Sequence, residues 1–148
     1  MRSYQTTERS AVARRGRIAV IDDDPIFVDL MHDLLASGEG YEVVSAPHWL
    51  QSFEFVKTVQ PDLVILDLML GRDQTGWNVL ELLRADPATA RVPVVLCSAA
   101  IPALRQYGVA ADADDFLEVV AKPFDVDYLL EVITGLLARG QASAATEA

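Results

Sequence analysis

Short runs rich in Val, Ile and Leu recur five times along this chain, and four of them run straight into a residue that can do chemistry. Ile18-Ala19-Val20-Ile21 meets Asp22-Asp23-Asp24, Leu63-Val64-Ile65-Leu66 meets Asp67, Val92 to Cys97 meets Ser98, and Glu118 to Ala121 meets Lys122. The fifth, Tyr41 to Ser45, lies between the first two. Mostly apolar runs this short are the pattern of strands buried on both faces. Segments of helical length separate them, and strands joined through helices need right-handed crossovers and therefore pair in parallel. The pattern dictates an α/β chain: a doubly wound (βα)5 three-layer sandwich around a five-stranded parallel sheet. In such sheets the carboxyl edge is where ligands bind, so two sets of carboxylates, a hydroxyl and an ammonium are expected on one edge.

Local signals give the helices between the runs. Asp24 is placed to cap a helix that starts with Pro25 at its first position and ends near Ser37, where Gly38 and Gly40 stop it. Further helices are expected from Pro47 to about Val59, from Gly76 to just before Asp86, from Pro102 to Phe116, and from Asp125 to about Arg139. In the last, Val126, Leu129, Leu130, Ile133, Leu136 and Leu137 recur at the spacing of a buried face. Trp49, Phe53, Phe55 and Trp77 read as packing residues. His32 and His48 stand alone, without partners for a metal or phosphodonor role.

With 148 residues, 51% of them hydrophobic, the chain is long enough for one good core and too short for two. Residues 17–139 are expected to form the folded domain, residues 1–16 a basic disordered arm, and residues 140–148 a flexible tail. No apolar stretch reaches membrane-spanning length and Met1 to Arg17 lack the apolar core of a signal peptide, so a cytoplasmic protein without membrane insertion is expected. Cys97, the single cysteine, lies inside an apolar run and reads as a buried thiol. Arg2, Arg9, Arg14, Arg15 and Arg17 against Glu8 put +4 on residues 1–17, which leaves −14 of the net −10 on the rest. A body this acidic repels phosphate backbones, and no direct nucleic-acid contact is expected of it.

The order of Asp22-Asp23, Asp67, Ser98-Ala99 and Lys122-Pro123-Phe124 resembles one family closely, the receiver domains of two-component response regulators, over about Arg17 to Arg139. The resemblance implies the flavodoxin-like receiver fold and a role for each residue. Asp67 would be the phosphoacceptor, a carboxylate nucleophile toward a phosphohistidine. Asp22, Asp23, Asp67 and the backbone carbonyl of Met69 would hold Mg²⁺. Lys122 and Ser98 would meet the phosphoryl oxygens with an ammonium and a hydroxyl. The implied partners are a histidine kinase or histidine phosphotransfer protein and a downstream protein target, with a homodimer left open.

Several residues depart from the family pattern. The segment after Asp67 lacks the proline usual four positions on and is one residue longer, Val119 stands where an aromatic is usual, and the interval from Ser98 to Lys122 is about two residues longer. The resemblance implies that Met69 and Ala100 would border the path of the attacking water, and neither side chain would orient it strongly. The readout is therefore expected in the loop from Ser98 to Pro102 and the helix after it. No room for an effector domain follows Arg139, so a stand-alone regulator acting by protein binding is expected. Two alternatives are a phosphorylation-independent interaction module and a phosphohydrolase of the haloacid dehalogenase type. The second needs an acid/base Asp where this chain has Met69.

Overall fold

The computed structural model describes residues 15–46, 51–70, 75–99 and 114–147. Five strands, β1 (Arg17–Ile21), β2 (Glu42–Ser45), β3 (Leu63–Asp67), β4 (Val94–Ser98) and β5 (Leu117–Ala121), form one sheet in the order β2-β1-β3-β4-β5. Every neighbouring pair is parallel. Among the described residues four helices cover it: α1 (Pro25–Met31), which runs on as a wider π-helical stretch over His32–Ser37, α2 (Ser52–Val59), α3 (Thr75–Ala85) and α4 (Val126–Glu147).

Alternation along the strands sorts the core into two faces. Ile18, Val20, Leu63, Ile65, Val95 and Cys97 pack under α1 and α4, against Phe27, Met31, Leu35, Leu129, Ile133 and Leu136. Their neighbours Ala19, Ile21, Val64, Leu66, Val94 and Leu96 pack under α2 and α3, against Val56, Val79, Leu80 and Leu83. Because both faces are covered, all of β3 and β4 are buried. The chain turns outward from β1 to β2, then returns to the far side of β1 for β3, so the two halves diverge between β1 and β3. That reversal of strand order opens a crevice at the carboxyl ends of these two strands.

The local signals explain most element ends. Asp24 caps α1 by accepting the Ile26 N–H at 2.9 Å, with Pro25 in the first turn. The exit from the π-helical stretch uses Gly40 at φ +81. Phe53, Phe55 and Trp77 pack against the core as expected.

Two boundaries differ from the sequence reading. α4 does not stop near Arg139 but continues to Glu147. Ala138, Ala142, Ala144 and Ala145 favour helix, and no proline interrupts them. Asp114 to Phe116, expected at the end of a helix, form a turn into β5 in which the Asp114 carboxylate accepts the Phe116 N–H at 2.9 Å. Residues 100–113 of that expected helix, the start of the second helix at 47–50, and residues 1–14 of the arm lie outside the described residues. Arg15 is placed: it pairs with Glu39 at 2.8 Å and lies 4.6 Å over the Tyr41 ring.

Candidate functional site

Three strand ends converge in the crevice between β1 and β3. Asp67, the last residue of β3, is 8% exposed, and its Oδ1 accepts the Met69 N–H at 3.0 Å, which fixes the rotation of the carboxyl. The three consecutive aspartates after β1 do three different things. Asp24 caps α1, Asp23 is exposed, and Asp22 turns inward, its Oδ1 accepting the Asp24 N–H at 2.9 Å. Asp22, Asp23 and Asp67 each bring a carboxylate oxygen to within 4.8 Å of the others, making the one such acidic group among the described residues.

Lys122 enters from the end of β5, in the segment with the cis Lys122-Pro123 peptide. Its backbone N–H donates to the Ser98 carbonyl at 2.9 Å, and its Nζ reaches Asp22 Oδ2 at 2.6 Å and Asp67 Oδ2 at 3.5 Å. Ser98 ends β4, buried, beside Ala121 in the ladder. All the residues that the sequence placed at the carboxyl edge are therefore at one edge, with Asp22, Asp23, Asp67 and Lys122 in a single cluster. His32 is half-buried away from any metal-ligating group among the described residues, and His48 and Ala100 lie outside those residues.

The electrostatics follow from burial and crowding. Desolvation raises the Asp67 carboxyl above the usual carboxylate range, with Asp22 and Asp23 adding to it and the Met69 N–H and Lys122 opposing. For Lys122 burial favours the neutral amine, but the hydrogen bond to Asp22 and the nearby carboxylates outweigh it, and the ammonium is held more tightly than usual. Cys97, paired with Asp67 in the β3–β4 ladder, is buried and its thiol is pushed up to about 12, so it stays protonated.

The donor set itself can be tested against a cation. Three carboxylates, with no nitrogen or sulfur donor among them, suit a hard ion such as Mg²⁺ that takes oxygen ligands. Their mutual repulsion favours such an ion further.

Two residues of the site were not singled out from the sequence. Gly76, at the start of α3, donates its N–H to the Leu68 carbonyl at 2.9 Å, and a Cβ there would fall 1.9 Å from the Asp67 carbonyl oxygen. The helix can approach the back of Asp67 only through glycine. Phe27 lies in the first turns of α1 with its ring 4.0 Å from the Lys122 ammonium. An aromatic placed just after the aspartate run was the available signal.

A family model for the response regulator receiver domain matches residues 18–134. The chain belongs to that family. Among curated relatives, the receiver is 38% identical to the DNA-binding dual master transcriptional regulator RpaA of Synechocystis, over 83% of this chain and 49% of that protein. It is 34% identical to the DNA-binding response regulator MtrA of Mycolicibacterium smegmatis, over 86% of this chain and 53% of that one. The receiver thus spans about half the length of the curated relatives it matches. A solved putative response regulator from Chloroflexus aurantiacus superposes with a TM-score of 0.67 at 28% identity, covering 83% of this chain and 98% of that one. The expectation of no direct nucleic-acid contact sits poorly with relatives described as DNA-binding. No described helix is long and apolar enough to cross a membrane.

Proposed function

We propose that this receiver accepts a phosphoryl group on Asp67 from a phosphohistidine of a histidine kinase or histidine phosphotransfer protein, and that the modification changes its affinity for a downstream protein. The observation that carries this reading is the placement of one ammonium against two of three clustered carboxylates, 2.6 Å from Asp22 and 3.5 Å from Asp67. An interaction module without the chemistry would have no reason to gather such a set around one strand end. The acidic body, −14 over residues 18–148, favours a protein over nucleic acid as the surface this domain itself meets, and the domain is read as cytoplasmic.

The geometry supports a task for each group. The Met69 N–H on Oδ1 holds the Asp67 carboxyl in one orientation, with Oδ2 turned toward Lys122. A carboxylate oxygen of Asp67 bonds to phosphorus as the P–N bond breaks, and its electron pair returns to the imidazole, which takes up a proton. Lys122 stabilises the charge on the transferring phosphoryl oxygens, and Ser98 offers a hydroxyl to another. Asp22, Asp23, Asp67 and the Met69 carbonyl would hold Mg²⁺, which when bound offsets the carboxylate charge that repels an incoming phosphoryl group. Hydrolysis of the acyl phosphate by water returns the carboxylate and inorganic phosphate. Phosphorylation shifts partner affinity only as far as the two conformations differ in binding that partner.

Intact-mass measurement after incubation with Mg²⁺ and acetyl phosphate tests the reading. The parent should gain one phosphoryl group and Asp67→Asn none. An equal gain in the Asn variant would place the acceptor elsewhere.

A further inference from the structure

We infer that Phe27 is a positioning residue for Lys122, its ring face holding the ammonium over the carboxylate cluster while the ammonium changes ionic partners. The inference rests on the phosphoacceptor reading of Asp67 and deepens it.

Phe27 is buried, and the Lys122 Nζ lies over its ring, 4.0 Å from the centroid. A cation at that height is attracted by the ring's negative face, most strongly where water is excluded. The plane of the ring is set by Phe124, which meets it edge to face at 6.1 Å and 85°. Phe124 stands two residues after Lys122 in the same segment beyond β5. That segment thus supplies both the ammonium and the ring that orients the ammonium's aromatic partner.

The need for such a contact follows from the ion pairs. A lysine ammonium is a point charge on a flexible four-carbon stem, and here its shortest partner is Asp22 rather than Asp67. Asp22 is also one of the carboxylates suited to a cation. When its oxygens serve a cation, Lys122 loses that partner and must serve oxygens beside Asp67 instead. Of the three contacts, only the ring face neither titrates nor coordinates Mg²⁺. It therefore persists across the exchange and keeps the ammonium from swinging out to solvent. Lys57 over the Phe53 ring at 5.8 Å, on the surface, offers a weak version of the same contact within the same chain.

The test uses the full chain with Phe27 replaced by mono-, di- and trifluorinated phenylalanines, which keep the shape of the ring while draining its negative face, together with Phe27→Leu and Phe27→Trp. In buffer with a chelator, the Cε protons of Lys122 should resonate upfield of those of Lys57, the other lysine, and lose that shift in Phe27→Leu. With Mg²⁺ and acetyl phosphate, the rate of phosphoryl gain should fall in step with fluorination, by roughly tenfold at the trifluorinated ring, while Tm stays constant. Phe27→Trp should keep a rate within about twofold of the parent. A parent that gains phosphoryl at the same rate as every fluorinated variant would make Phe27 a packing residue only and overturn the inference. An absent upfield shift would do the same. A parent that gains no phosphoryl group would instead fail the acceptor reading, and the transfer role of Phe27 with it.

Discussion

Lys122 sits nearer to Asp22 than to Asp67, 2.6 Å against 3.5 Å. The ammonium leans toward the residue after β1, so whatever draws the Asp22 carboxylate away turns Lys122 toward the end of β3. Binding at the acidic cluster and the availability of Lys122 to Asp67 would in this way be coupled.

The first prediction concerns the cation. Removing one of three clustered carboxylates with Asp23→Ala should weaken Mg²⁺ binding at least tenfold, about 1.4 kcal/mol. The exposed position of Asp23 leaves the fold intact. Calorimetric titration measures this, and equal affinity in variant and parent would reduce the aspartate to a surface charge.

A second prediction follows from the raised Asp67 carboxyl, for which burial is the main cause. An acid whose proton is bound more tightly in the fold than in the unfolded chain costs stability while it is ionised in both. The cost fades as pH falls through the folded value and is gone below the unfolded one. In a chelator, Asp67→Asn should therefore raise Tm near neutral pH by about 2–5 °C. That gain should shrink as the pH drops into the acid range. Thermal melts across pH check it, and a gain that does not depend on pH would contradict it.

Gly76→Ala tests the back of the site. The new Cβ would overlap the Asp67 carbonyl oxygen, since backbone on both sides leaves no side chain free to yield. Either α3 shifts or the strand end does, at about 3 kcal/mol in urea unfolding. A variant as stable as the parent would mean that the start of α3 moves freely.

Arg84 and Arg139 form a contrasting pair. Arg84 binds Asp114 at 2.8 Å and donates to the carbonyls of Val92 and Phe116, tying the end of α3 to the chain entering β4 and β5. Arg84→Ala should cost about 2–3 kcal/mol because it strands half-buried acceptors. Arg139 meets Glu118 at 3.4 Å with the two side chains 49% and 36% exposed, and Arg139→Ala should cost under about 1 kcal/mol. Denaturant midpoints of the two variants decide whether burial sets the difference.

The sheet and its reactive edge were legible because both are written locally. Each strand is a short apolar run, and Asp22, Asp67, Ser98 and Lys122 each stand at or just past the end of one. The cap at Asp24 was equally local, with Pro25 beside it. What escaped depends on elements meeting in space. The ring of Phe27 under Lys122 joins positions far apart in sequence, and the tolerance of Gly76 is visible only once α3 lies against Asp67. The end of α4 was misplaced because small residues and Gly140 suggest a tail, while alanine in a helix already begun favours continuing it.

Cys97 turns the centre of the sheet into a clock. Its thiol lies in the strand beside Asp67, fully enclosed and protonated. An alkylating reagent can reach it only in molecules whose central strands have parted. The labelling rate therefore counts openings of the domain, and anything that binds the closed form should slow it in proportion to occupancy. A ligand, a metal or a phosphoryl group at the acidic edge can thus be weighed from inside the protein by the one sulfhydryl it carries.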